Sequence, residues 1–208
     1  MPSLRDQLVF YGQIIKTTEE VGAFSPTTRA VGDAAAAPIF PGHRPHRVLE
    51  VGSGTGSLTH SIVRRLRPQD RLDLVEINPS FRKVLQRRFV DVPGGPETTL
   101  LQDDIFSFEP SEPYDVIVSS LPILNFPADK VEELFDLYLT KLLRPEGTLA
   151  YYDYWAKGVR RFLGSHRERQ RVKDVLETTK RFHDSCHYRR KVIVRNFPPA
   201  CVHYLRPR

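Results

Sequence analysis

Cysteine occurs only twice in this chain of 208 residues, and methionine and tryptophan once each. Cys186 and Cys201 set up no disulfide framework and lack the paired spacing of metal ligands, so a reducing compartment is expected and no metal site. No apolar run approaches the roughly 18 residues of a membrane-spanning helix. The opening residues lack the uninterrupted apolar stretch of a cleaved signal, so none is expected. Internal repeats and low-complexity linkers are absent as well. A hydrophobic content of 40% and a charged content of 27% then suit one globular domain over residues 1–208, long enough to bury a core unaided.

Charge is unevenly shared. The formal net charge is +6, yet residues 157–208 hold 15 Lys and Arg against 4 Asp and Glu, which leaves 16 against 21 in residues 1–156. Such a basic quarter suits a face turned toward a polyanion, either membrane headgroups or nucleic acid. A solvated, arginine-rich helix accounts for the same residues.

Periodicity predicts an amphipathic helix over residues 3–20, with Leu4, Leu8, Tyr11 and Ile15 on one face and Arg5, Asp6, Gln13 and Lys16 on the other. Its apolar face can lie in a membrane interface or dock on the domain as a lid. A helical lead-in follows over 21–45, with an Ala-rich helix from about Thr28 to Ala37 ended by Pro38, Pro41 and Pro45. Strands are then expected at 47–51, 71–76, 98–101, 114–119 and 148–154. Helices are expected between them at 56–67, 79–90 and 128–143. A long basic helix, roughly 159–182, leads to two closing strands, 187–195 and 200–206. This alternation predicts an α/β fold with a doubly wound, seven-stranded, mostly parallel sheet. The short link between the last two strands requires one of them to run antiparallel.

The chemistry concentrates at the carboxyl ends of these strands. Val48 to Val51 empties into Gly52, Ser53, Gly54 and Gly56, a glycine turn that lets backbone N–H groups approach a ligand. The turn lacks the G-x-x-G continuation of a dinucleotide fingerprint and carries Glu50 before its first glycine. Leu72 to Glu76 ends a second strand in an acid that can accept both hydroxyls of a ribose. Asp104 follows the third strand, where a carboxylate can accept an adenine amino group and Ile105 can cover the base; Asp103 and Asp104 also suit helix capping. Ser119 and Ser120 make a tight exit from the fourth strand.

Together VLEVGSGTGSLT, LDLVEINP, LQDDIF and YDVIVSSLP resemble a class I S-adenosylmethionine-dependent methyltransferase over residues 47–154. Three further segments resemble the bacterial phospholipid N-methyltransferases: Val21 to Ala30, Ser119 to Pro127, and Asn196 to Ala200. Ser120 and the run Tyr152-Asp153-Tyr154-Trp155 depart from that family's common pattern. The resemblance implies S-adenosylmethionine bound by Glu50, Gly52, Ser53, Gly54, Gly56, Glu76, Ile77, Asp104, Ile105 and Ser119. It also implies N-methylation of phosphatidylethanolamine or an ornithine lipid at a membrane surface. Tyr154 matches the family tyrosine, and Tyr154 and Ser119 are the expected catalytic residues.

Headgroup binding is expected from Arg29, Tyr152, Tyr154 and Lys157. The aromatics would hold a quaternary ammonium by cation–π attraction of about 0.5–2 kcal/mol, and the cations would meet a phosphodiester. A monomer is expected, on the inner face of the cytoplasmic membrane, with anionic lipid as partner and no nucleic acid. An rRNA adenine dimethyltransferase and a small-molecule amine methyltransferase share the glycine loop and stand as alternatives. The former usually carries Asn-Leu-Pro-Tyr where this chain has Ser120-Leu121-Pro122-Ile123.

Overall fold

The computed structural model describes residues 29–40, 42–101, 104–154, 165–196 and 199–208. Three short, largely buried runs, β1 (Arg47–Val51), β2 (Arg71–Val75) and β4 (Tyr114–Ser119), lie side by side with the more exposed β3 (Glu97–Leu101) at the edge of the sheet. They are joined by β5 (Leu143–Tyr154), β6 (His187–Ile193) and β7 (Ala200–Arg206) in the order β3-β2-β1-β4-β5-β7-β6. The first five are mutually parallel, and β7 runs antiparallel to both β5 and β6. The sheet is therefore the seven-stranded, mostly parallel one that the alternation predicts.

Alternate residues feed two cores. Leu49, Val51, Ile117, Leu149 and Tyr151 face one side, where they meet α4 (Ala128–Asp136) and α5 (His166–Ser185) through Leu134, Phe135 and Val175. Val48, Leu72, Leu74, Val116 and Val118 face the other side. There they pack on α1 (Arg29–Ala35), α2 (Thr59–Val63) and α3 (Pro79–Leu85) through Val31, Ala35, Ile62 and Leu85. In α4 the buried Val131, Leu134 and Phe135 stand at the three- and four-residue spacing of one helical face.

Polar clamps fix the amino ends of the strands. Asp115 accepts from the Arg47 backbone at 2.8 Å and pairs with Arg44, and the buried Tyr114 hydroxyl donates to Asp73 at 2.6 Å. The opposite, carboxyl ends are left to the loops that build the site.

Some boundaries differ from expectation for local reasons. The helix expected over 56–67 is only the five residues of α2, because the glycine turn runs on to Gly56 and Pro68 follows closely. β5 begins at Leu143 rather than 148, its pairing with β4 shifting register between Tyr114 and Val116. α5 runs to Ser185, three residues beyond expectation, and Ser165 caps its start by accepting from the Glu168 N–H at 3.3 Å. The expected amphipathic helix 3–20, residues 21–28 and 41 of the lead-in and the residues 159–164 lie outside the described residues. Among the described residues no helix is long and apolar enough to cross a membrane.

Candidate functional site

A cavity of about 170 Å³ opens where β1, β2 and β4 end and their loops diverge. Its floor is the turn after β1. Gly54 stands at φ +56°, and a Cβ placed on it would meet nothing within 4 Å, so the turn leaves open space above its backbone. Gly52 and Ser53 line the same wall, and the buried Ser53 Oγ has no hydrogen-bond partner among the described residues.

Glu76, one residue past β2, is held by backbone on both sides. Its Oε2 accepts from Gly54 N–H and its Oε1 from Asn78 N–H, each at 2.8 Å. A carboxylate has about four lone-pair positions, so each oxygen keeps capacity for one hydroxyl of a diol. Burial pushes the Glu76 carboxyl upward in pKa, opposed by these backbone hydrogen bonds. Asn78 in turn caps α3, its Oδ1 accepting from Ser80 N–H at 2.9 Å ahead of Pro79.

On the far wall Asp104 accepts from Phe106 N–H at 3.1 Å, closing the short 3₁₀ turn Ile105–Ser107. It thus caps a turn and lines the cavity at once, with Ile105 beside it; burial raises its pKa. Ile77 and Phe81 add apolar wall. Beyond them stand Ser120, Leu121, Pro122 and Tyr152. The expected ligands Gly52, Ser53, Gly54, Glu76, Ile77, Asp104, Ile105 and the substrate residue Tyr152 are thus brought together.

Other expected residues are placed elsewhere. Ser119 is 1% exposed, and its hydroxyl meets the Tyr138 hydroxyl at 3.1 Å in the core. Strand alternation turns it away from the cavity, so Ser120 takes the position at the wall. Gly56 does not line the cavity; a Cβ there would sit 2.2 Å from the Phe89 ring, so its lack of a side chain serves close packing on the helix that follows β2.

Glu50 is fully buried and lies off the cavity wall, its Oε2 accepting from the Thr59 hydroxyl at 2.6 Å. Burial above all, with Glu76 as a further negative neighbour, raises its pKa to about 8. Its Oε1 has no hydrogen-bond partner among the described residues. Tyr154 is off the wall too and packs edge-on against Tyr152, ring centres 5.7 Å apart. Arg29 is largely exposed and pairs with Asp33 at 3.6 Å, not with the cavity. Asp103, Trp155 and Lys157 lie outside the described residues.

Sequence reasoning missed Phe81 as a wall residue, and it set Ser120 beside Ser119 at the strand exit but took only Ser119 as a site residue. A side chain one turn into α3 carries no periodic signature that separates it from core, and Ser120 and Ser119 differ by one position only.

The donor set fits S-adenosylmethionine. A doubly anchored acid suits a ribose, an acid beside apolar side chains suits an adenine, and the unpartnered Ser53 hydroxyl suits the polar amino-acid end. A family model described as "Methyltransferase domain" matches residues 49–149. The ornithine lipid N-methyltransferase of Singulisphaera acidiphila is 29% identical over 150 residues, covering 70% of this chain and 76% of that one. The tRNA1(Val) (adenine(37)-N6)-methyltransferase of Aliivibrio salmonicida is 31% identical over 78 residues, or 38% of this chain and 33% of that one. Among solved structures, the O-methyltransferase from Bacillus cereus in complex with SAH has a TM-score of 0.62 at 13% identity, covering 94% of this chain and 90% of that one. The N-methyltransferase NodS from Bradyrhizobium japonicum has a TM-score of 0.58 at 15% identity, covering 85% and 94%. At these identities the two structures establish the shared fold alone.

Proposed function

The chain belongs to the class I S-adenosylmethionine-dependent methyltransferases, and from that premise we propose that it methylates the amine of a lipid headgroup, an ornithine lipid or phosphatidylethanolamine, at a membrane surface. The observation that carries this reading is the extent of the likeness to the ornithine lipid enzyme. It runs over 150 residues and so outgrows the generic methyltransferase span of 49–149. Part of that match therefore lies outside residues 49–149.

The cofactor, when bound, supplies an electrophilic methyl group. The chain's own residues position and exclude. Glu76 would hold the ribose, Asp104 with Ile105 and Phe81 the base, and Ser53 the amino-acid end. Such a displacement depends mainly on alignment, and a fixed site contributes by pre-setting it.

The acceptor reaches the reaction as an ammonium and must first lose a proton, since only the free lone pair can attack carbon. Glu76 and Asp104 are the two acids on the described wall, and both belong to the cofactor side. The acceptor side is Ser120, Leu121, Pro122, Phe126 and Tyr152, polar only at two hydroxyls. We assign the proton's exit to a relay at Tyr152, whose hydroxyl oxygen takes it up as its own proton passes to solvent water, with Tyr154 bracing the ring. A phosphodiester would be met by Lys157, three residues along the chain from Tyr154, since Arg29 is engaged with Asp33.

Nucleic-acid amines are disfavoured by residues 120–123. Ser120-Leu121-Pro122-Ile123 offers no amide to hold an exocyclic amine and no aromatic ring to stack a flipped base. The test is transfer of a radiolabelled methyl group from S-adenosylmethionine to vesicles holding ornithine lipid or phosphatidylethanolamine, with total RNA and free ethanolamine as competing acceptors. Label is expected in the lipid phase. Label confined to RNA or to the free amine overturns the proposal.

A further inference from the structure

We propose that the outer edge of β6, with Val194 and Arg195 that follow it, forms the surface by which this chain docks on an anionic lipid bilayer, holding the cavity against the headgroups; this rests on the lipid reading above. The strand registers carry the geometry. Ile193, Ala200 and Tyr154 lie in one row across β6, β7 and β5, and Lys191, Val202 and Tyr152 in the next row but one. Lys191 is therefore two strands from the cavity residue Tyr152, roughly 10 Å across the sheet. Val194 and Arg195 follow β6 and lie beyond the Tyr154 row, at the end of the sheet that holds the cavity.

The chemistry of this edge is that of an interfacial anchor. Arg189, Arg190, Lys191 and Arg195 are all exposed, and no acid occurs between His187 and Val202. Among these cations stand Val192, 47% exposed, and Val194, 76% exposed. Basic residues close to an anionic leaflet are drawn to it, and apolar side chains beside them can enter the headgroup boundary. The other exposed large apolar side chains among the described residues are Phe40 and Val92. Both lie in connections that lead into parallel strands, β1 and β3, and so at the opposite end of the sheet.

β6 closes the sheet order, and terminal strands often carry charge that prevents edge-to-edge pairing. That accounts for the cations within β6. It leaves the exposed valines unexplained, Val194 above all, which stands past the last ladder pair. Nucleic acid would be drawn by the same cations, yet single strands are gripped by stacking aromatics. The exposed residues from Arg189 to Arg195 include none.

The experiment is co-sedimentation of the full chain with vesicles of phosphatidylglycerol and phosphatidylethanolamine, for wild type, the double variant Lys191→Glu/Arg195→Glu, and Val194→Asp. Thermal unfolding and affinity for S-adenosylhomocysteine are measured beside it, and both are expected to stay at wild-type values because all three side chains are exposed. Removing two membrane-facing cations is expected to cut vesicle partitioning at least roughly twentyfold, and wild-type binding should weaken as salt rises. The milder Lys191→Gln/Arg195→Gln pair should show the same loss if the reversed charges disturb folding. Wild-type sedimentation by the variants overturns the docking surface, as does a loss confined to RNA retention. Methyl transfer to vesicle lipid that persists in the variants overturns docking and keeps the headgroup reading. Sedimentation that depends on this edge, in a chain that methylates no lipid, keeps docking and overturns the headgroup reading.

Discussion

Glu50 is fully buried at the end of β1, one oxygen on Thr59 and the other without a hydrogen-bond partner among the described residues. Burial is the main cause of its raised pKa of about 8, against an ordinary value of 4.5. Between those values the folded chain holds a proton that the unfolded chain has lost. Stability therefore falls as pH rises from about 4.5 and levels off above about 8. Glu50→Gln removes this ionisation while keeping an oxygen for Thr59. Urea unfolding of the unliganded protein should show the variant more stable than wild type by a few kcal/mol near pH 8.5, on the order of what such a shift implies. The difference should shrink toward nothing near pH 4.5; parallel stability curves across that range would refute the assignment. The sequence marks Glu50 as part of the motif, but not that its side chain turns inward to tie β1 to α2. A strand residue's face is set by a one-residue register that an isolated motif leaves open, and Ser119 was misplaced for the same reason.

At the scale of elements, the turn between β1 and α2 does two jobs with its glycines. Gly54 keeps the cavity floor clear, and Gly56, at φ +92°, lets the Phe89 ring lie against the backbone. Gly56→Ala must strain the backbone and displace Phe89, and it should cost about 2–4 kcal/mol in chemical denaturation. Its effect on cofactor affinity should be smaller than its effect on stability. A variant that lost S-adenosylhomocysteine binding at unchanged stability would return Gly56 to the ligand. The strands themselves were legible because buried parallel strands read as short apolar runs between glycine and proline signals. Helix lengths were less so. The glycine turn shortened α2 from its amino end, while β5 gained residues from Leu143 onward through pairing with β4, a tertiary effect that periodicity does not carry.

Across the whole molecule, function is laid out by the direction of the sheet. Salt bridges and Tyr114 secure the amino ends; the cavity, the Tyr152–Tyr154 pair and the end of β6 share the carboxyl ends. The basic quarter of the sequence does not say where its charges stand, since only the antiparallel return of β7 sets β6 two strands from the cavity. Much of the cavity wall was readable because Gly52, Glu76 and Asp104 fall at or just past strand ends, whereas the side of Ser120, Leu121, Pro122 and Tyr152 depends on loops that meet only in the fold. The account stands on one acid, Glu76, which two backbone N–H groups orient into the cavity. Calorimetric titration of S-adenosylhomocysteine into wild type and Glu76→Ala tests it most directly. Wild type should bind at one site per chain, and the variant should bind about 3 kcal/mol more weakly, on the order of a hundredfold, from the loss of two hydrogen bonds to a charged group. Equal affinity in the two proteins, or no uptake by wild type, would contradict it.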